Sequence, residues 1–230
     1  RIIGFGYYAG YVGAHNGLLT YGKKTKQFSL IPAHKCKDQE EMLIQMNNLR
    51  LPPMKIVVTG WGKVATGILD VMEHWDIPSV EPQDFLENEY AYPVYTHLKG
   101  NALYQNKATH EYHRNEFYTN PELYECKFSP YLAHTDILMH GIYWEDEIDI
   151  MFKNDNLQAV NRFTLEKADP FQTSNDTIDI MAVDNLPNEL PRDASEHFGK
   201  YMIKYILPEL LAGESKILDR ATICKDGKLT

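Results

Sequence analysis

The chain has 230 residues, 43% hydrophobic and 24% charged, with a formal net charge of -9. That length suits one large α/β domain, or one domain with parts of another, and allows a sizeable core. The acidic balance argues against a nucleic-acid partner, because phosphate binding needs clustered Lys and Arg. No apolar run reaches membrane-spanning length, and no signal peptide is expected.

Cys36, Cys126 and Cys224 are odd in number and scattered, which suits reduced thiols in a cytoplasmic setting better than a disulfide framework. The chain opens at Arg1 without an initiator Met and runs straight into Ile2-Ile3-Gly4-Phe5-Gly6, as expected for the second part of a longer protein.

Tyr8 to Tyr21 has helical character. Gly10, Gly13 and Gly17 leave one side nearly bare, while Val12, Leu18 and Leu19 supply apolar bulk. Each glycine costs a helix about 1 kcal/mol against alanine, so the stripe implies close approach of another backbone or of a ligand. Phe28 to Pro32 reads as a strand. Lys37 to Leu49 reads as an amphipathic helix with Met42, Leu43, Met46 and Leu49 on one side and Asp38 opposing the dipole at its start.

Lys55 to Glu81 is the stretch that organises the chain. Ile56, Val57 and Val58 have the composition of a parallel strand buried on both faces. Gly60 and Gly62 follow at once, and then Val64, Ile68, Leu69 and Met72 recur at helical spacing. Strand, glycine turn and helix form the context of a dinucleotide site. Gly60 permits the turn, Gly62 admits a pyrophosphate to the backbone, and the free N–H groups of the helix hold its charge, with Trp61, Lys63 and Val64 beside it. Ala65 replaces the usual third glycine. Glu81, 21 positions after Gly60, is expected at the end of a second strand to bind ribose hydroxyls. An ordinary glycine turn and a methyltransferase site share much of this pattern.

From Pro82 to about Pro130 the chain is polar and Tyr-rich, the composition of a solvated surface insertion. His110-Glu111-Tyr112-His113 has i and i+3 spacing rather than the i and i+4 of a zinc helix, so no metal is expected. Ile137 to Met139 reads as another buried parallel strand, with Gly141 to Trp144 past its carboxyl end. Thr177 to Val183 reads as a last strand. Pro191 suits the first turn of a helix running to Gly213 with a kink at Pro208, and Ser215 to Ile223 reads as a short helix before a turn at Lys225–Lys228.

Arg1 to Ala14, the Gly141-Ile142-Tyr143-Trp144 turn, and Asp184-Asn185-Leu186-Pro187 with Pro191-Arg192 together resemble saccharopine dehydrogenase (lysine-forming) and the lysine–ketoglutarate reductase domain. These belong to the alanine dehydrogenase and pyridine nucleotide transhydrogenase superfamily. The resemblance implies an α/β fold with a Rossmann-like doubly wound parallel sheet, and helices that cross to a mostly absent first lobe. It divides the chain into a crossing helix at 1–22, a dinucleotide-binding domain at 23–190, a second crossing helix at 191–213 and a return segment at 214–230. It places Tyr143, Val183, Asp184, Asn185 and Leu186 along the dinucleotide, and Phe5 and Arg192 on the substrate side, although a surface ion pair suits Arg192 equally well.

The implied activity is NAD(P)-dependent oxidation or reduction at the C–N bond of an amino-acid/2-oxoacid adduct, with lysine and 2-oxoglutarate as the model pair and a homo-oligomer possible. Its acid and base would lie on the other lobe. Glu81 favours NAD, whereas reductase domains with a similar Val-Glu-Pro stretch use NADP. A family turn expected after Met151 is not found in Lys153 to Val160. That departure keeps open a nucleotide-binding or regulatory module without turnover, beside an alanine dehydrogenase-like activity. The crossing helices and Asp-Asn-Leu-Pro do not fit a methyltransferase.

Overall fold

The structure is a computed structural model that describes residues 2–142, 148, 149, 151, 181, 183, 185–213 and 215–229. Its centre is a parallel sheet in the order β2-β1-β5, with β1 at Lys55–Thr59, β2 at Val94–Leu98 and β5 at Ile137–His140. Val57 pairs with Thr96 on one side and Leu138 on the other. All five residues of β1 are buried because both faces are covered. Successive side chains alternate, so Ile56 and Val58 enter one apolar core and Val57 enters a second. The α/β, Rossmann-like architecture expected from the sequence is observed.

On the first face lie α1 (Gly6–Thr25) and α3 (Lys63–His74), which cross with their backbones in contact. A Cβ at Gly10 would fall 1.8 Å from the Val64 carbonyl oxygen, and one at Gly67 would fall 2.0 Å from that of Tyr7. Gly13 faces Leu186 and Gly17 faces Met139. The bare stripe of α1 therefore serves packing, not ligand contact. Lys23 and Lys24 oppose the dipole at its end, where left-handed Lys26 donates to the Gly22 carbonyl.

Phe28 to Pro32 is not a strand. Its groups are satisfied by side chains instead: Gln45 Oε1 accepts from the Ile31 N–H, and His15 Nε2 donates to the Ile31 carbonyl at 2.8 Å. The helix expected over Lys37–Leu49 is shorter. It comprises α2 (Gln39–Ile44), capped by the Asp38 carboxylate on the Glu41 N–H, and then a 3₁₀ turn over Gln45–Asn48.

The strand expected to end at Glu81 is a single bridge, Ser79 to Tyr95. On the side of β1 away from β5, the paired strand is β2, inside the stretch read as a surface insertion. Val94, Thr96 and Leu98 are its buried positions, and the Tyr and His between them hide the period in the sequence. Nor is that stretch a solvated excursion. With α4 (Pro82–Glu87), the antiparallel pair β3 (Tyr104–Asn106) and β4 (Tyr124–Cys126), and α5 (Arg114–Thr119), it builds the second core around Phe85, Leu103, Tyr104, Phe117, Tyr124 and Phe128. Aromatic rings there meet edge to face, as Phe117 and Tyr124 do at 5.3 Å.

After the 3₁₀ turn Leu186–Glu189, α6 (Pro191–Tyr201) begins on Pro191 as expected. A π turn over Met202–Ile206 precedes α7 (Leu207–Ala212), so the irregularity expected at Pro208 appears one turn earlier, where the missing N–H would otherwise interrupt the ladder. The Ser215 side chain caps α8 (Lys216–Ala221), and Asp226-Gly227, both at positive φ, turn β6 (Cys224–Lys225) into β7 (Lys228–Leu229). Among the described residues, no helix is long and apolar enough to cross a membrane.

Candidate dinucleotide site

The bend Gly60-Trp61-Gly62 joins the carboxyl end of β1 to the first residue of α3. It lies where β2 and β5 diverge on either side of β1, the place at which open parallel sheets hold ligands. Gly60 has φ +91, and a Cβ there would lie 2.7 Å from the Gly141 carbonyl oxygen, so glycine is required on both counts. Gly62 differs: among the described residues, a Cβ there would meet nothing within 4 Å, so their packing makes no use of its freedom from side-chain bulk. The first N–H groups of α3 have no intrahelical partner and carry the positive end of the dipole.

A cavity of about 230 Å³ opens at this bend. Gly60 to Val64 form its floor. Lys99, Gly100 and Leu103 follow from β2; Tyr104, Tyr112, Arg114, Phe117 and Tyr118 come from the aromatic subdomain; Gly141 and Ile142 close it beyond β5. Arg114 lies over the Trp61 ring at 5.2 Å, and Tyr112 meets the same ring edge-on at 5.9 Å. Burial pushes the Tyr112 hydroxyl up to about 12, so it remains a neutral donor. Neither Lys99 nor Arg114 has an ion-pair partner among the described residues, although the chain carries an excess of carboxylates. Two uncompensated cations at the mouth of an apolar cavity suit an anionic ligand with an aromatic or sugar portion.

Two histidines stand behind the bend. His97, on β2, bonds through Nε2 to the Gly60 carbonyl, and His140, on β5, bonds through Nδ1 to Thr59 Oγ1 at 2.9 Å. Burial lowers the basicity of both. For His97 the carbonyl bond works against that shift, and the nearby Lys99 charge adds to it. Thr59 also accepts from the Gly141 N–H, through its carbonyl at 3.1 Å and its hydroxyl at 3.3 Å.

Of the residues marked from the sequence, Gly60, Trp61, Gly62, Lys63 and Val64 lie together along the cavity. The Lys63 ammonium turns away, donating to the Ile2 carbonyl at 2.6 Å and lying over the Tyr201 ring. Glu81 is exposed, precedes Pro82 at the start of α4, and is not part of the cavity wall. Val183 and Leu186 pack on the first core, and Asn185, left-handed at φ 55, precedes the turn Leu186–Glu189. Tyr143, Asp184, Lys153 to Val160 and most of Thr177 to Val183 lie outside the described residues.

Phe5 stacks on Phe198 at 4.8 Å, and Arg192 donates to Asp38 at 3.0 Å, the ion-pair alternative. Sequence reading missed Lys99, Arg114, Tyr112 and Tyr118. The burial alternation of Val94–Leu98, hidden in the sequence by its Tyr and His, is what places Lys99 beside the bend.

No family model matches the chain. Over 95% of its length it is 23% identical, across 292 aligned positions, to the mitochondrial alpha-aminoadipic semialdehyde synthase of Mus musculus, covering 31% of that protein. The Rattus norvegicus protein of the same name gives 23% over 291 positions. The Arabidopsis thaliana alpha-aminoadipic semialdehyde synthase is 25% identical over 309 positions, with 100% of this chain and 29% of that protein covered. The chain thus spans about three tenths of the length of these curated relatives. The likeness to the saccharopine dehydrogenase type that the motifs indicated extends, at low identity, over most of the chain. Because the alignments exceed 230 residues, the relatives carry stretches that this chain lacks.

Proposed function

We propose that this chain is the nucleotide-binding part of an NAD(P)-dependent oxidoreductase of the saccharopine dehydrogenase type, acting on the C–N bond between an amino acid and a 2-oxoacid. The observation that carries the reading is Gly62: an uncovered backbone at the first turn of α3, in a glycine bend at the carboxyl ends of a parallel sheet. The relatives that align over nearly all of this chain are named as synthases of alpha-aminoadipic semialdehyde, an amino-acid semialdehyde, which accords with this reading.

The residues present fit a dinucleotide. The bend and the first N–H groups of α3 would take the linking phosphates. Tyr112, Tyr118 and Trp61 offer ring faces for the adenosine arm, and Lys99 and Arg114 would grip an additional phosphate on its ribose. Glu81, which favoured the unphosphorylated form, is off the wall, whereas Lys99 and Arg114 line it, so we read the cofactor as NADP(H) before NAD(H). When bound, it supplies a hydride to the imine carbon of the adduct. This chain's share is binding, orientation and exclusion of water. No residue of it is assigned as acid or base for the amine nitrogen.

The absent stretches favour one other reading, a nucleotide-binding module without turnover. The decisive assay follows NADPH oxidation at 340 nm with lysine and 2-oxoglutarate in the full protein, beside a binding titration of NADPH. Turnover supports the enzyme. Binding alone supports the module, and no binding removes both readings.

A further inference from the structure

Gly60 holds two bonds to β2 that point in the same direction. Its N–H donates to the Leu98 carbonyl at 3.2 Å, continuing the ladder, and its own carbonyl accepts from His97 Nε2. In an extended strand the N–H and C=O of one residue point to the same side, so both groups of Gly60 face β2. Past the last residue of β1, where no backbone N–H of β2 bonds to the Gly60 carbonyl among the described residues, the His97 side chain meets it instead. A carbonyl can only accept, so the His97 ring carries its proton on Nε2. Half-buried and short of solvation, the ring stays neutral near pH 7 and keeps that tautomer.

The peptide joining Gly60 to Trp61 is trans, so the Trp61 N–H points opposite to the Gly60 carbonyl. The orientation of this one peptide decides which end of a strong dipole the bend offers to an incoming anion. Glycine at its first end widens the range of ψ open to this peptide, so its orientation needs a hold. Only the His97 side chain is bonded to this carbonyl among the described residues. The His97 backbone sits in the β2·β1 ladder opposite Val58, and the residue is not part of the cavity wall.

We propose that His97 is a positioning residue for the phosphate bend: its Nε2–H holds the Gly60 carbonyl away from the bound phosphates and so keeps the Trp61 N–H turned toward them. The inference rests on the dinucleotide reading above and assigns part of its anion recognition to a side chain that touches neither cofactor nor substrate. It also gives a reason for a half-buried imidazole on the strand beside the bend, where desolvation disfavours its charged form.

The test compares adenosine with ADP, which differ by the diphosphate alone, in calorimetric titrations of the full-length wild type and of His97→Leu, His97→Asn and His97→Gln. Wild type is expected to bind ADP at least thirtyfold more tightly than adenosine. In His97→Leu that ratio falls about tenfold while adenosine affinity stays within twofold. His97→Asn, whose amide is too short to reach the carbonyl, behaves alike and serves if the leucine variant does not fold. His97→Gln, which can restore an N–H at the reach of Nε2, recovers the ratio to within threefold of wild type. A merely structural histidine would weaken both ligands together. An unchanged ADP-to-adenosine ratio in both Leu and Asn variants overturns the assignment while leaving the dinucleotide site standing. A wild type that binds ADP no better than adenosine overturns the phosphate site itself, and the role of His97 with it.

Discussion

The α-carbon of Gly67 sits so close to the Tyr7 carbonyl that a Cβ added there would lie 2.0 Å from its oxygen. This contact, with its counterpart between Gly10 and Val64, sets the distance at which α1 crosses α3, and hence where α3 begins relative to the bend. Replacing Gly67 or Gly10 with alanine forces two backbones apart, and overpacking of this kind costs about 3 kcal/mol. Each variant is expected to lower the urea midpoint with an unchanged slope. A shift of less than a tenth of the wild-type midpoint would show that the helices relax freely.

Gly62→Ala separates packing from binding. The added methyl meets nothing, at a φ of -82 that alanine adopts readily, so the melting temperature should stay within about 2 °C. The same methyl stands where a phosphate would approach, and NADPH affinity should fall at least tenfold, about 1.4 kcal/mol. An alanine variant that binds NADPH normally would remove the bend from the site.

Lys99→Ala and Arg114→Ala probe the ribose phosphate. A charge-assisted hydrogen bond contributes about 1.5–3 kcal/mol, so each change should weaken NADPH by about tenfold or more and leave NADH within about twofold. Arg114→Lys should recover only part of the loss, because the planar guanidinium over Trp61 is not reproduced. Equal weakening of NADPH and NADH would place both cations elsewhere than at the extra phosphate.

Stability should fall in mild acid. His15 is fully buried beside Trp75, and burial lowers its affinity for protons below that of the unfolded chain. The unfolded state therefore binds the proton first. Stability is present above the ordinary value of 6.5 and is lost as the pH drops below it toward the folded value. His97 and His140 shift in the same direction. The unfolding free energy measured in urea between pH 7 and 5 should decline by about 1 kcal/mol per unit, and His15→Leu should flatten that slope.

In alkali the sign reverses. Burial raises the hydroxyls of Tyr8 and Tyr112 to about 12 from 10.0, so the folded state holds these protons more firmly. The associated stability is complete below pH 10 and disappears between 10 and 12. An absorbance titration of tyrosinate should show a class of residues ionising later in the native protein than in urea. Coincident curves would contradict the burial of these rings.

Local features carried in the sequence were those that depend on near neighbours. Ile56 to Val58 followed by Gly60 and Gly62 specified strand, bend and helix, because a β-branched run, glycines that tolerate a left-handed turn and a helical apolar period lie within twenty residues of one another. Pro191 marked the start of α6, and the spaced glycines of α1 announced a close approach, since a helix bears their cost only for that reason.

What the sequence by itself determined was thus the glycine bend between strand and helix and the α/β class. Tertiary structure alone decided which segment pairs with β1. That choice depends on non-local hydrogen bonds between Lys55–Thr59 and Val94–Leu98, across a stretch whose Tyr and His residues look like surface until they pack on Phe85, Phe117 and Tyr124. Strand order then exchanged Glu81 for Lys99 beside the bend and brought Arg114 over Trp61. Spacing along the chain cannot report such an exchange, because a sheet assigns neighbours by pairing and burial rather than by order of synthesis.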